Sequence, residues 1–209
     1  EEKIKELGGI DLQILGIGRT GHIGFNEPGS HQNSQTRAIT LDHLTRFDAI
    51  SAFQGIENVP RKAITMGIQT ILSAKKIFLM AWGSYKSPII KKAIEGNISD
   101  IIPTTYLQLH PNTTLILDKE SSSELTRIKT PWVVGNCEWD QSNRSKAIIW
   151  LCKKTNKSIL KLTDKDYNQN GMSDLLAQYG SSYDLNIKMF NRLQHTITGW
   201  PGGKPNADD

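Results

Sequence analysis

His22, Asn26 and Glu27 fall within six positions of one stretch, GIGRTGHIGFNEPGS (16–30). A histidine titrates near neutrality, and a carboxylate beside it fixes its tautomer and holds its pKa there. Such a pair suits general acid–base chemistry. The plainer reading is a polar loop whose His and Glu cap turns, and spacing alone does not choose between the two. The first six residues also match G-x-G-x-x-G through Gly16, Gly18 and Gly21, with Asp42 about where a ribose-binding acid would stand. A dinucleotide turn must open a helix at that point. Gly24, Pro28 and Gly29 exclude it, because proline costs a helix about 3 kcal/mol and each glycine about 1. What remains is a glycine-rich loop that would hold its polar side chains in one place.

The elements around the loop must position it. IDLQILGI (10–17) is apolar nearly throughout, which predicts a strand buried on both faces. The loop therefore sits at the carboxyl end of a strand, where open α/β sheets place their sites. EEKIKELGG at the start reads as a helix stopped by Gly8 and Gly9. TRAITL (36–41), KIFLMAWG (76–83) and TTLILD (113–118) read as strands, and RKAITMGIQTILSAK (61–75) as an extended entry turning into a short helix. KSPIIKKAIEGN (86–97) has helical spacing of Ile89, Ile90, Ala93 and Ile94, and TTYLQLH (104–110) suits a helical turn. The sum is a doubly wound, Rossmann-like α/β domain over 1–118 whose first strands are expected to be missing. From 119 the texture changes. Helices are expected at 143–157, 172–180 and 183–197, with Ser173 and Asp184 as candidate N-caps. This gives a mostly helical appendage or connector over 119–200, followed by a Pro/Gly/Asp-rich linker at 201–209.

The chain has 209 residues, 37% hydrophobic and 22% charged, with a formal net charge of +4. No apolar run approaches the roughly 20 residues of a membrane span, and no signal-peptide pattern opens the chain. Lys and Arg are dispersed rather than set in a stripe with aromatics, which argues against nucleic-acid binding. Cys137 and Cys152 lack metal-ligand spacing and read as reduced thiols of a cytoplasmic protein. Both ends look cut, so an excerpt of a longer protein is expected.

The quoted loop, together with TRAITL, VPRKAITMGIQTIL, GSYK and LQLHPNTTLILD, resembles the glucosamine-6-phosphate deaminase/isomerase family over about residues 1–118. G-H-I-x-F-N-E-P is the specific core of the likeness. The resemblance implies a Rossmann-like fold without nucleotide cofactor or metal. It also implies conversion of glucosamine 6-phosphate to fructose 6-phosphate and ammonia. His22 then matches the histidine that exchanges a proton with the ring oxygen, and Glu27 the carboxylate supporting it. Lys86 matches a phosphate-binding lysine, and Gly21 and Asn26 become substrate-binding candidates. Three departures from the family pattern stand out: Thr20 where many members have Asp, Ile50 and Ser51 where a phosphate-binding Arg is expected, and Ile39 where an allosteric Lys follows Arg37. The first two departures support a second reading, a non-catalytic sugar-phosphate-binding module used for regulation or scaffolding. The third argues against activation by N-acetylglucosamine 6-phosphate.

The resemblance also places the phosphate-cradling loop and the Asp that moves the C1–C2 proton before position 1. Residues 1–209 alone are accordingly expected to be inactive. From 119 the chain resembles the connector of two-module relatives that continue into a zinc-dependent deacetylase-like domain. His195 is a candidate contact to that domain, or else a packed or capping residue, and self-association is left open.

Overall fold

The computed structural model describes residues 1–198, and the side chains of 195–198 lie outside that description, as do residues 199–209. The expectations for His195 and for the 201–209 linker therefore fall outside the described residues. The chain divides into two compact units, residues 1–125 and residues from 126 on.

The first unit opens with helix α1 (Glu2–Glu6), stopped by Gly8 and Gly9 at φ +88° and +91°. Only glycine takes that backbone region without penalty. A parallel three-stranded sheet follows, from β1 (Leu12–Gly16), β4 (Lys76–Ala81) and β5 (Thr113–Leu117), in the order β1-β4-β5. Its register pairs Ile14 with Phe78 and Leu79 with Leu115. The expected α/β architecture with its parallel sheet is thus present. β2 (Arg37–Thr40) and β3 (Lys62–Thr65) do not join this sheet but pair with each other as a short antiparallel ribbon.

Successive strand residues point to opposite faces. One face of the sheet buries Leu15, Ile77, Leu79 and Ala81 in a single core. That core also holds Ile68 and Ile71 of α4 (Ile68–Leu72), Ile89, Ile90 and Ala93 of α5 (Ser87–Glu95), and Tyr106 and Leu107 of a 3-10 turn at Pro103–Leu109. On the opposite face Leu12 and Ile14 are 45% and 58% exposed. This corrects the reading of β1 as buried on both sides. A continuous apolar run shows that a strand can be covered on both faces, not that each face has a covering layer.

Residues 119–125, grouped from sequence with the helical appendage, pack with the first unit. Ser121 Oγ donates to Ala81 O at 2.9 Å, and Leu125 lies in the core. Two short helices, α2 (His43–Asp48) and α3 (Ile50–Phe53), bury none of their residues.

The second unit is helical: α6 (Thr126–Lys129), α7 (Gln141–Thr155), α8 (Asp164–Asn168), α9 (Ser173–Tyr179) and α10 (Ser182–Thr198). The carboxylate of Asp140 caps α7 by accepting from Asn143 N at 2.7 Å, and Asn156 ends it in the left-handed region at φ 53°. α8 had no counterpart in the sequence reading, although Thr163 and Asp166 form a capping box there. The N-cap expectations need correction. Ser173 is the first residue of α9 and makes no capping bond. Asp184 lies inside α10, and its backbone N–H donates instead to Ser181 Oγ at 3.2 Å.

Ala147, Ile148 and Leu151 of α7 form the core of this unit with Trp132, Tyr167, Met172, Leu175 and Leu185. Within it the Tyr167 hydroxyl donates to Asn186 Oδ1 at 2.6 Å, and Asn186 Nδ2 donates to Leu162 O at 2.8 Å. Tyr167→Phe leaves a buried acceptor unpaired. It is expected to destabilise the helical unit by about 1–3 kcal/mol in chemical denaturation, whereas the exposed Tyr183→Phe should shift it negligibly.

Candidate active site

β1 delivers the glycine-rich loop into a cleft of about 450 Å³ lined by Gly16, Ile17, Gly18, His22, Gly24, Thr45, Asp48, Ala49 and Lys86. Two of the sequence-derived candidates, His22 and Lys86, thus face the same space, and Glu27 stands immediately behind His22. The His22 side chain is 15% exposed and that of Glu27 8%. Three oxygens surround Nδ1 of His22: Thr20 Oγ1 at 2.9 Å, Glu27 Oε2 at 3.2 Å and Thr45 Oγ1 at 3.3 Å. A carboxylate accepts and does not donate, so this arrangement selects the tautomer with the proton on Nδ1. Nε2 is left with its lone pair and with no hydrogen-bond partner among the described residues.

Burial holds the His22 pKa below its ordinary value of 6.5. The Glu27 charge pulls the other way and the Lys86 charge adds to the lowering, but desolvation is the larger effect. At neutral pH the ring is therefore a neutral base beside a carboxylate ready to stabilise its protonated form.

Thr20 lies between the two partners. Its hydroxyl reaches His22 Nδ1, and at 3.4 Å it donates to Glu27 Oε2. Glu27 is held from its other side by the backbone N–H of Asp42, which donates to Oε1 at 3.2 Å. Asp42 also caps α2, accepting from Leu44 N at 2.8 Å. One residue thus anchors Glu27 and starts the helix that brings Thr45 and Asp48 to the cleft.

Gly18 is required by close approach, since a Cβ built on it would overlap the imidazole of His22. Gly21, at φ +82°, has its carbonyl taken by Thr104 N and Oγ1 at 3.0 and 2.7 Å. Asn26 is fully buried. Its Nδ2 donates to Ile23 O at 2.9 Å and Met66 O at 2.7 Å, and its Oδ1 accepts from Arg37 Nη1 at 2.9 Å. Neither Gly21 nor Asn26 lines the cleft. Both belong to the frame behind it.

Lys86 follows Gly83 in a 3-10 turn that leads into α5, and its Nζ donates to Ile17 O at 2.6 Å. Burial lowers its pKa, the Asp48 charge raises it and the Arg19 charge lowers it. Asp118 fixes this turn from below: its carboxylate accepts from Gly83 N at 2.9 Å and from Ser121 N at 2.8 Å. Hydrogen bonding from Ser121, side chain and backbone, and then from Gly83 N holds its pKa below the usual range. Asp118, Thr45 and Asp48 escaped the sequence reading. Thr45 and Asp48 reach the cleft only through the path of α2, and Asp118 reads as an ordinary strand end.

Several comparisons with known proteins bear on this site. Residues 1–116 match the family described as glucosamine-6-phosphate isomerases/6-phosphogluconolactonase. A glucosamine-6-phosphate deaminase-like protein of Bacteroides thetaiotaomicron is 58% identical over all 209 residues, which cover 32% of that protein. Glucosamine-6-phosphate deaminase 1 of Bacillus subtilis is 48% identical over 59% of this chain and 51% of its own length. The solved structure of a monomeric glucosamine-6-phosphate deaminase superimposes with a TM-score of 0.58 at 48% identity, over 59% of this chain and 52% of that one. The chain thus spans about a third to about half of the length of these relatives.

Two outcomes follow from the packing of His22. Gly18→Ala is expected to displace the ring, seen as a changed imidazole shift in NMR titration with the fold retained. The depressed His22 pKa also means that the unfolded chain binds more protons than the folded one as pH falls through 6.5. The stabilisation is therefore complete above that pH and declines below it. Urea denaturation at pH 7.5 and 5.5 should show a smaller loss on acidification for His22→Gln than for the parent.

Proposed function

Because residues 1–116 match it, this chain belongs to the glucosamine-6-phosphate isomerase/6-phosphogluconolactonase family, and we propose that its cleft opens the ring of glucosamine 6-phosphate as part of a deaminase reaction. The single observation that carries the reading is the buried His22–Glu27 pair with Nε2 free beside Lys86. Ring opening of a hemiacetal removes a proton from the C1 hydroxyl and adds one to the ring oxygen. A neutral imidazole that accepts the first proton and returns it to the second position balances the step. Glu27 stabilises the imidazolium formed in between, while Thr20 and Thr45 hold the ring in orientation. Lys86 suits the phosphate, as an ammonium with one donor on Ile17 O and others unengaged.

The names of the relatives support the substrate class. The Bacillus enzyme is named a glucosamine-6-phosphate deaminase, as is the superimposable monomeric one. The likeness to the Bacteroides protein runs through the helical unit, whereas that to the Bacillus enzyme covers 123 residues. This supports reading the segment from 126 on as a connector joined to the deaminase-like part in a longer polypeptide. The alternative, a module that binds the phosphosugar without turning it over, rests on Thr20 in place of an acid and on Ile50 and Ser51 in place of a phosphate-binding Arg.

The test uses the complete polypeptide with glucosamine 6-phosphate, scoring fructose 6-phosphate and ammonia. His22→Gln is expected to lower kcat by about 10²–10⁴-fold with KM little changed. Lys86→Met should raise KM by about tenfold or more. Turnover unaffected by His22→Gln would sink the assignment, and tight binding without turnover in the parent protein would favour the alternative.

A further inference from the structure

A second depression of about 500 Å³ is lined by Arg19, Asp48, Tyr85 and Lys86, and it shares Asp48 and Lys86 with the His22 cleft. Arg19 is the residue between the loop glycines and Thr20. Its Nε donates to Asp48 Oδ2 at 3.0 Å, and its Nη2 donates to Asp48 Oδ1. Both side chains are substantially exposed, 40% and 48%. An ion pair at that exposure contributes little to stability, but a two-point contact fixes the plane of the guanidinium. Arginine carries five N–H donors, and Nη1 of Arg19 has no partner among the described residues. Lys86 reaches the same space with its ammonium 5.1 Å from the centroid of the Tyr85 ring, and its charge is felt together with that of Arg19. Two cations, one compact and one planar, thus border a depression that opens from the histidine cleft.

We propose that Arg19 is a binding residue for the phosphate of the substrate, contacting the dianion through Nη1 jointly with Lys86, with Asp48 as the positioning residue that orients the guanidinium. The proposal rests on the reading of the cleft as a phosphosugar site, and it adds a residue to that site. A planar guanidinium offers geometric matching to phosphate oxygens that a lone ammonium cannot. The geometry also explains why the two depressions share Lys86 and Asp48: the sugar end of a ligand faces His22 while its phosphate meets Lys86 and, in the second depression, Arg19.

Inorganic phosphate is the probe, titrated calorimetrically into the complete polypeptide, so the result does not depend on turnover. Arg19→Ala is expected to weaken phosphate binding at least tenfold, whereas Lys75→Ala, which removes an exposed cation paired with Asp11, should change it less than twofold. Arg19→Ala also leaves Asp48 unpaired, and the freed carboxylate would itself repel the anion. The Arg19→Ala, Asp48→Ala double variant separates the two effects. Weak binding in the double variant supports direct contact, while recovery of the parent affinity shows that Arg19 only neutralises Asp48 and overturns the proposal. Unchanged affinity in Arg19→Ala, an equal loss in Lys75→Ala, or no phosphate binding by the parent protein would overturn it as well. A parent protein that binds phosphate through Arg19 but does not turn over glucosamine 6-phosphate would leave this inference standing while removing the catalytic reading.

Discussion

The imidazole of His22 occupies the space that any side chain at position 18 would fill. Everything else about the cleft follows from keeping the ring there. The backbone must arrive from β1 and turn at Gly18. It must turn again at Gly21, which takes a positive φ, and send Glu27 back beneath the ring. Each of these turns leaves polar backbone groups that need partners. Thr104 takes the carbonyl of Gly21, and Asn26, itself buried, ties the loop to Met66. Arg37 of the antiparallel ribbon closes the frame by donating to Asn26 Oδ1 and Ser30 Oγ. The ribbon is therefore the brace of the loop, which gives a reason for two strands that stand apart from the main sheet.

The chemistry of the ring is set by opposed effects of similar kind. Burial disfavours its charge, Glu27 favours it and Lys86 disfavours it, and burial is the largest of the three. A second carboxylate at position 20 would add a further favourable charge beside the ring. It would also set two like charges close together, since Thr20 Oγ1 is 3.4 Å from Glu27 Oε2. The hydroxyl avoids that repulsion while still meeting Nδ1. Thr20 is therefore compatible with a working base, with Glu27 the main carboxylate favouring the charged ring and the Asp42 charge a smaller contribution. The same segment carries Arg19, so a single short loop contributes to both the histidine cleft and its cationic neighbour.

Legibility in the sequence followed the range of the interactions. The parallel sheet, α5 and the stop after α1 were readable because apolar periodicity and glycine are local signals. The exposure of Leu12 and Ile14 was not, because it depends on what covers a face rather than on the strand. Ser173 and Asp184 looked like caps by residue type, but capping depends on which side chain stands one residue before the first turn. α8 carried a readable Thr163–Asp166 signal that its short length obscured. In the site, His22 and Glu27 were legible as a candidate pair because they share one loop, although their spacing did not by itself separate catalysis from turn capping. Thr45, Asp48 and Asp118 were not, since Thr45 and Asp48 reach the loop from α2 and Asp118 acts on the turn at Gly83 from the end of β5.

The sequence by itself determined that a glycine-rich loop carrying His22 and Glu27 follows a strand and cannot open a helix, because Gly24, Pro28 and Gly29 forbid one. It also determined the family, since residues 1–116 match that family. Only the tertiary structure decided which polar residues face the cleft and which support it. Asn26 and Gly21 went to the frame because their hydrogen bonds are satisfied internally, and Arg19 went to the mouth because Asp48 approaches it from α2. The reason is physical: chain neighbours are fixed by covalent geometry, but the burial and charge that give a side chain its chemistry come from segments the fold brings to it.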